Sequence, residues 1–88
     1  MTEKDTLFEF PCDFPLKVMG KRTDAFRSIV VGIVQKHVGA VAADRIEERP
    51  SKDGNYLSVT CTFTATSKAQ LDALYMELTS CEHVRIVL

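Results

Sequence analysis

Leu57, Val59, Cys61, Phe63 and Ala65 alternate with Tyr56, Ser58, Thr60, Thr62 and Thr64 in the longest clean period-two run of the chain. A strand turns successive side chains to opposite faces, so the run predicts a half-buried strand with one dry face and one wet or partner-facing face. Lys52-Asp53-Gly54-Asn55, just before it, tolerates left-handed backbone and bonds to itself, which predicts a turn leading in. Phe14 to Lys21 has the same period, with Phe14, Leu16 and Val18 inward and Lys17 and Met19 outward. Gly20 is expected to end that strand in a sharp turn toward a helix.

The period then changes. Phe26, Ile29, Val30, Ile33, Val34 and Val38 recur at the three-and-four spacing of a buried helical stripe, with Thr23 or Asp24 as N-cap and Gly39 as C-cap. Val41 to Arg49 reads as a strand whose charges suit a sheet edge, closed by Pro50. Ser67 and Gln70 have capping-box spacing ahead of a second stripe, Leu71, Leu74, Tyr75 and Leu78. Glu82 to Leu88 reads as a last short strand. The order strand, helix, strand, strand, helix, strand predicts an α+β fold, the ferredoxin-like βαββαβ sandwich: a four-stranded antiparallel sheet with two helices on one face. Right-handed crossovers put the first and third strands in the middle. Residues 14–88 form the single domain, and residues 1–13 form a leader whose Leu7, Phe8 and Phe10 lie across it.

Composition narrows the function classes more than it selects one. The 88 residues carry 11 basic and 12 acidic side chains, a formal net charge of −1. Nucleic-acid binders that neutralise phosphates carry a basic excess, so a nucleic-acid partner is disfavoured. No apolar run reaches the roughly 18 residues that span a bilayer, and no secretory segment follows Met1–Asp5, so the expectation is a cytoplasmic protein without a membrane partner. Cys12, Cys61 and Cys81 lack Cys-x-x-Cys spacing, which argues against a disulfide framework and a zinc site. No cofactor or metal is expected.

The outer sheet face is expected to carry Lys17, Met19, Tyr56, Ser58, Thr60, Thr62 and Arg85, extended by Arg45 and Glu47. Beside it, Gly20, Lys21 and Arg22 form a strand-to-helix loop with anion-binding chemistry, and Asn55 sits in the turn before Tyr56. Candidate ligand- or partner-binding residues are therefore Lys17, Met19, Gly20, Lys21, Arg22, Asn55, Tyr56, Ser58 and Arg85. RNA-recognition modules stack bases on aromatics of both central strands, whereas only Tyr56 projects outward here. Met19 to Thr23 lacks the paired thiols of a metal chaperone. An acylphosphatase-like loop would need a second glycine and a longer spacing to Arg27. His37 and His83 have no ligand-spaced partner, and no nucleophile, base and orienter assemble, so no catalytic residues are assigned and the chain is not expected to be an enzyme.

Four blocks also carry a resemblance: Phe10-Pro11-x-x-Phe14-x-x-Lys17-Val18-Met19-Gly20, Gly54-Asn55-Tyr56-x-Ser58-Val59, Leu74-Tyr75-x-Glu77-Leu78, and Val84-Arg85-x-Val87-Leu88. In this order, from about Phe8 to Leu88, they resemble the bacterial YbeD-like family. The resemblance implies a small cytosolic bacterial protein with a ferredoxin-like fold similar to ACT-type regulatory domains, and by family name alone a link to lipoate metabolism. The expected function is a non-enzymatic regulatory or binding module. It would take a protein or small-molecule effector on its open sheet face or strand-to-helix loop. Single-stranded RNA binding on the sheet face is the alternative, and an acylphosphatase-like hydrolase a weaker one. A homodimer and a monomer both stay open.

Overall fold

In the computed structural model, which describes residues 9–88, the Tyr56 to Ala65 alternation becomes a ten-residue strand at the centre of a four-stranded sheet. The elements run β1 (Cys12–Lys21), α1 (Phe26–Val38), a 3-10 turn (Ala43–Arg45), β2 (Ile46–Pro50), β3 (Tyr56–Ala65), α2 (Lys68–Thr79) and β4 (Val84–Val87). The sheet order is β2-β3-β1-β4, every pairing is antiparallel, and the fold is ferredoxin-like as the element order predicts. Leu7 and Phe8 lie outside the described residues, while Phe10 packs against the core.

Alternation decides the core. Leu16 and Val18 of β1 and Leu57, Val59, Cys61, Phe63 and Ala65 of β3 meet Phe26, Val30 and Val34 of α1 and Leu71, Leu74 and Leu78 of α2. The Phe14 and Phe63 rings, opposite each other in the register, lie 5.9 Å apart in a tilted arrangement that suits their quadrupoles.

Gly20 departs from the sequence expectation. It stays within β1 on ordinary extended backbone, since positive φ occurs only at Gly39 and Gly54 among the described residues. A Cβ there would overlap the His83 carbonyl oxygen and the Phe26 ring. Glycine is needed for close approach, not for a turn. The same contact explains the start of α1: Phe26, seated on Gly20, is its first residue, and Ala25 occupies the N-cap without a side-chain bond where Thr23 or Asp24 was expected. The opening turn is held instead by Phe26 N–H donating to Thr23 O at 3.2 Å.

Other boundaries shift for local reasons. β1 begins at Cys12, two residues before the expected Phe14, because β3 is long enough to pair it as far as Ala65. The residues from Val41 form a connection and the 3-10 turn before β2 opens at Ile46, and β2 takes the sheet edge. Ser67 caps α2 by accepting from Gln70 N–H at 3.1 Å, but the returning Gln70 side chain accepts from Thr66 N–H at 2.9 Å, one residue before the box predicts.

The hairpin turn is closed by Asp53. Its carboxylate accepts from Ser51 Oγ at 2.7 Å and from Asn55 N–H at 3.1 Å and Nδ2 at 3.2 Å, while Gly54 supplies φ of 79°. Donation from Ser51, then from the Asn55 backbone, holds the Asp53 carboxyl below its ordinary pKa.

Candidate functional site

The sheet face opposite the helices is the surface with the most unmatched chemistry, and the strand register arranges it in rows. Glu47, Thr60 and Lys17 share one row, which ends on Leu88 through the Lys17–Leu88 backbone pair at 3.2 and 2.8 Å. Arg49, Ser58, Met19 and Ile86 form the next row, and Tyr56 faces Lys21 in the third. An apolar diagonal therefore crosses three strands, from Tyr56 through Met19 to Ile86 and Leu88, with exposures of 39% at Tyr56, 47% at Ile86 and 63% at Leu88.

Charge is distributed unevenly about that diagonal. Among the described residues, no carboxylate forms an ion pair with Lys17, Lys21, Arg49 or Arg85, whereas Arg27 and Arg45 are paired with Glu48 and Asp13 at 2.8 and 3.6 Å. Lys17, Met19, Arg49, Pro50, Tyr56 and Ser58 line a hollow of about 140 Å³ with cations on two sides. Drug-sized ligand sites enclose about 300 Å³ or more, so the hollow suits a side chain or a small headgroup.

The residues singled out from sequence fall into two groups. Lys17, Met19, Lys21 and Tyr56 come together on the open face. Ser58 shares that face but is only 6% exposed, and its hydroxyl donates to the Arg49 carbonyl at 3.2 Å, which ties β3 to β2. Gly20 lies beneath Phe26 and His83, and Asn55 braces the hairpin turn while its carbonyl accepts from Arg22 N–H at 3.0 Å. Arg22 looks the other way, into an open cleft shared with Thr23, Asp24, Arg27, Ser28 and Glu48 at the start of α1. Arg85 is exposed at a β-bulge: Met19 pairs with Ile86 and Gly20 with Val84, which leaves Arg85 without a cross-strand partner.

That bulge reverses the phase of β4. Simple alternation with Arg85 outward puts Ile86 inward and Val87 outward; instead Val87 packs on the core, and Ile86 and Leu88 reach the open face. Ile86 and Leu88 carry no sequence signal, because one extra residue is invisible in a four-residue strand. Arg49 does carry one, as the next outward position after Glu47.

The histidines are placed elsewhere. His37 Nε2 lies 2.7 Å from Glu77 Oε1, Lys36 binds the other carboxylate oxygen, and Gln70 Nε2 donates to the His37 carbonyl at 3.2 Å. Together these bonds clasp α1 to α2. His83 lies in the exposed turn before β4, 3.9 Å from Glu82. Among the described residues no group of three His, Cys, Asp or Glu side chains converges as a metal site would. Burial raises the pKa of the Cys61 thiol, with Arg27 a smaller opposing influence, which keeps it protonated and inert.

Both the sequence and the topology have known counterparts. The model of DUF493, described as a protein of unknown function, matches residues 5–88. The chain belongs to the DUF493 family. A UPF0250 protein of Paraburkholderia phytofirmans is 48% identical over 84 residues, covering 96% of this chain and 94% of that protein. One from Leptothrix cholodnii is 49% identical over 85 residues, covering 97% and 93%. The YbeD-like resemblance is consistent with this DUF493 and UPF0250 membership. Among solved structures, protein HP0495 of Helicobacter pylori superposes with a TM-score of 0.73 at 13% identity, covering 92% of this chain and 85% of that one. The ACT domain from the GTP pyrophosphokinase of Chlorobium tepidum does so at 0.64 and 18%, covering 86% and 84%. At these identities the likeness is one of fold. No helix among the described residues is long and apolar enough to cross a membrane.

Proposed function

We propose that this DUF493 protein is a non-catalytic regulatory or binding module that works by association through its open sheet face. One observation carries the reading. The helix-free face has an apolar diagonal bordered by Lys17, Lys21 and Arg49, cations with no ion-pair partner among the described residues. Behind the sheet Arg27 meets Glu48 and Lys68 meets Asp72, and on the open face itself Arg45 meets Asp13, away from the apolar diagonal. Exposed apolar patches rimmed by polar groups mark interaction sites and ligand-binding grooves. The one close cluster of titratable groups among the described residues, Lys36, His37 and Glu77, joins the two helices and has no nucleophile beside it. An ACT domain of similar fold, part of a GTP pyrophosphokinase, lends the regulatory half of the reading its support by analogy of fold.

The test is an amide-shift titration of the isotope-labelled full chain with the amino acids, with lipoate and with extract of the native cell. Shifts concentrated at Lys17–Lys21, Arg49 and Tyr56–Thr60 are expected from at least one of these. Shifts gathered around Arg22–Ser28 would move the function to the cleft at the start of α1, and shifts on the helices alone would defeat the reading.

A further inference from the structure

Resting on that association reading, we propose that the open face docks an acidic amphipathic protein segment, whose apolar side chains cover Met19, Ile86 and Leu88 while its carboxylates meet Lys17, Lys21 and Arg49. Charge complementarity selects this occupant. The three cations stand around the apolar diagonal; of the acidic residues on this face among those described, Glu47 shares a row with Lys17, Asp13 is paired with Arg45, and Asp44 lies beyond Glu47. Acidic groups arranged about an apolar ridge satisfy both halves of the surface, and charge matching of this kind steers encounter and fixes register.

The other occupants fit less well, each for a physical reason. A second copy laid face to face by a two-fold axis would set one lysine- and arginine-bearing patch against another, and like charges across an interface are costly. Edge pairing is blocked as well. β2 presents Glu47, Glu48, Arg49 and Pro50, β4 is four residues long with a bulge, and the part of β1 that β4 leaves uncovered has Pro15, which lacks an N–H, on its open side. A polynucleotide would use the cations, but it would find one aromatic to stack on and would cover Ile86 and Leu88 without gain. A small ligand meets a hollow of about 140 Å³ beside the cations, and the wider hollow of about 480 Å³ on the same face, lined by Asp44, Arg45, Glu47 and two threonines, would leave the apolar diagonal uncovered. A polypeptide uses the whole face.

The experiment titrates the labelled full chain with a helical peptide that carries leucines at three-and-four spacing flanked by glutamates. Its twin with lysines for the glutamates and an oligouridylate serve as controls. The glutamate peptide is expected to shift Lys17, Met19, Arg49, Tyr56 and Ile86, and to weaken as salt is raised. Lys17→Glu with Arg49→Glu changes two exposed side chains, so the amide spectrum should stay native elsewhere. The double variant should bind the glutamate peptide about tenfold less tightly, as reversal of two surface pairs allows, and should gain affinity for the lysine twin. Equal binding of both peptides by the unaltered chain, tighter binding of the oligouridylate, or no shift on the face overturns the proposal. Concentration-dependent shifts of the same residues without peptide would assign the face to a second copy and overturn it too. If cell extract moves the face while the glutamate peptide does not, the partner chemistry is wrong and the association reading stands. If the peptide, the extract, the amino acids and lipoate all leave it unmoved, both fall.

Discussion

Adjacent residues of β3 obey opposite rules. Val59 is fully buried and Thr60, one peptide bond away, is part of the open face. On the helical side the sheet is sealed by Phe26, Val30, Leu74 and Leu78, and its charges are matched across elements, Arg27 to Glu48 and Lys36 and His37 to Glu77. On the open side Lys17, Lys21 and Arg49 have no carboxylate partner among the described residues, and Ile86 and Leu88 lie bare. The chain seals one face with its own helices, whereas the other keeps a bare apolar diagonal with three cations unpaired among the described residues, the ion pair of Arg45 with Asp13 standing apart from them. That asymmetry, more than any single residue, makes the open face the functional candidate.

The comparison breaks most severely at the seat of Phe26. Phe26→Ala empties the largest fully buried side chain and is expected to cost about 3–5 kcal/mol in chemical denaturation. Gly20→Ala attacks the same contact from the strand by forcing a Cβ into the ring and the His83 carbonyl, at about 1–3 kcal/mol or more. The two effects should not add. In the Phe26→Ala background one of the two groups that the added Cβ would strike is gone, so the second change should cost less than it does alone. Additive costs would show that Gly20 is not there for Phe26.

A gentler probe exchanges the two faces at neighbouring positions. Val59→Thr buries a hydroxyl in an apolar environment and should destabilise by about 1–3 kcal/mol. Thr60→Val, on the open side, should stay within about 0.5 kcal/mol. Equal costs would mean that the open face is as demanding as the core. The cysteines report the same division without mutation. Cys61 is sealed and its pKa is raised by burial, while Cys12 and Cys81 are half-buried. A thiol-specific reagent at neutral pH should therefore label two sites in the native protein, and the third only as fast as the chain unfolds. Rapid labelling of Cys61 would show that the sealed side opens in the native state.

How much of this was legible beforehand depended on whether a rule was local. Alternation from Tyr56 to Ala65 and the stripe from Phe26 to Val38 named the core, because period and burial are one fact stated twice. The edge placement of β2 followed from its charges. The cap at Ala25, the true reason for Gly20 and the exposure of Ile86 were not legible, because each depends on a neighbour distant in sequence. Phe26 must find Gly20, His83 must pass over it, and β4 must bulge at Arg85 to pair with β1. For the open face, Lys17, Met19 and Tyr56 were readable by period, whereas half of its apolar content was hidden behind that bulge.

The smallest expected effect tests whether the paired charges of the helical side matter at all. Glu77 has its carboxyl held below the ordinary pKa, first by the Lys36 ammonium and then by the His37 ring, at the clasp between α1 and α2. A carboxyl whose pKa is lower folded than unfolded contributes stability above the unfolded value, and that contribution disappears as pH falls through the folded one. The window therefore lies at and below the usual carboxylate range, about pH 4 and lower. The urea midpoint of the unaltered chain should fall as pH is lowered through this window, and Glu77→Gln should flatten part of that fall while lowering the midpoint slightly at neutral pH. Part of the slope should persist, because Asp53 is shifted in the same direction by Ser51 and Asn55 and titrates at the far end of the molecule. Adding Asp53→Asn should flatten the curve further, and the two contributions should be additive because the sites share no partner. If Glu77→Gln leaves the pH profile unchanged, the clasp is an exposed ion pair without net worth. The contrast between the two faces would then rest on burial alone, with the unpaired cations of the open face no longer set apart from the paired charges behind it.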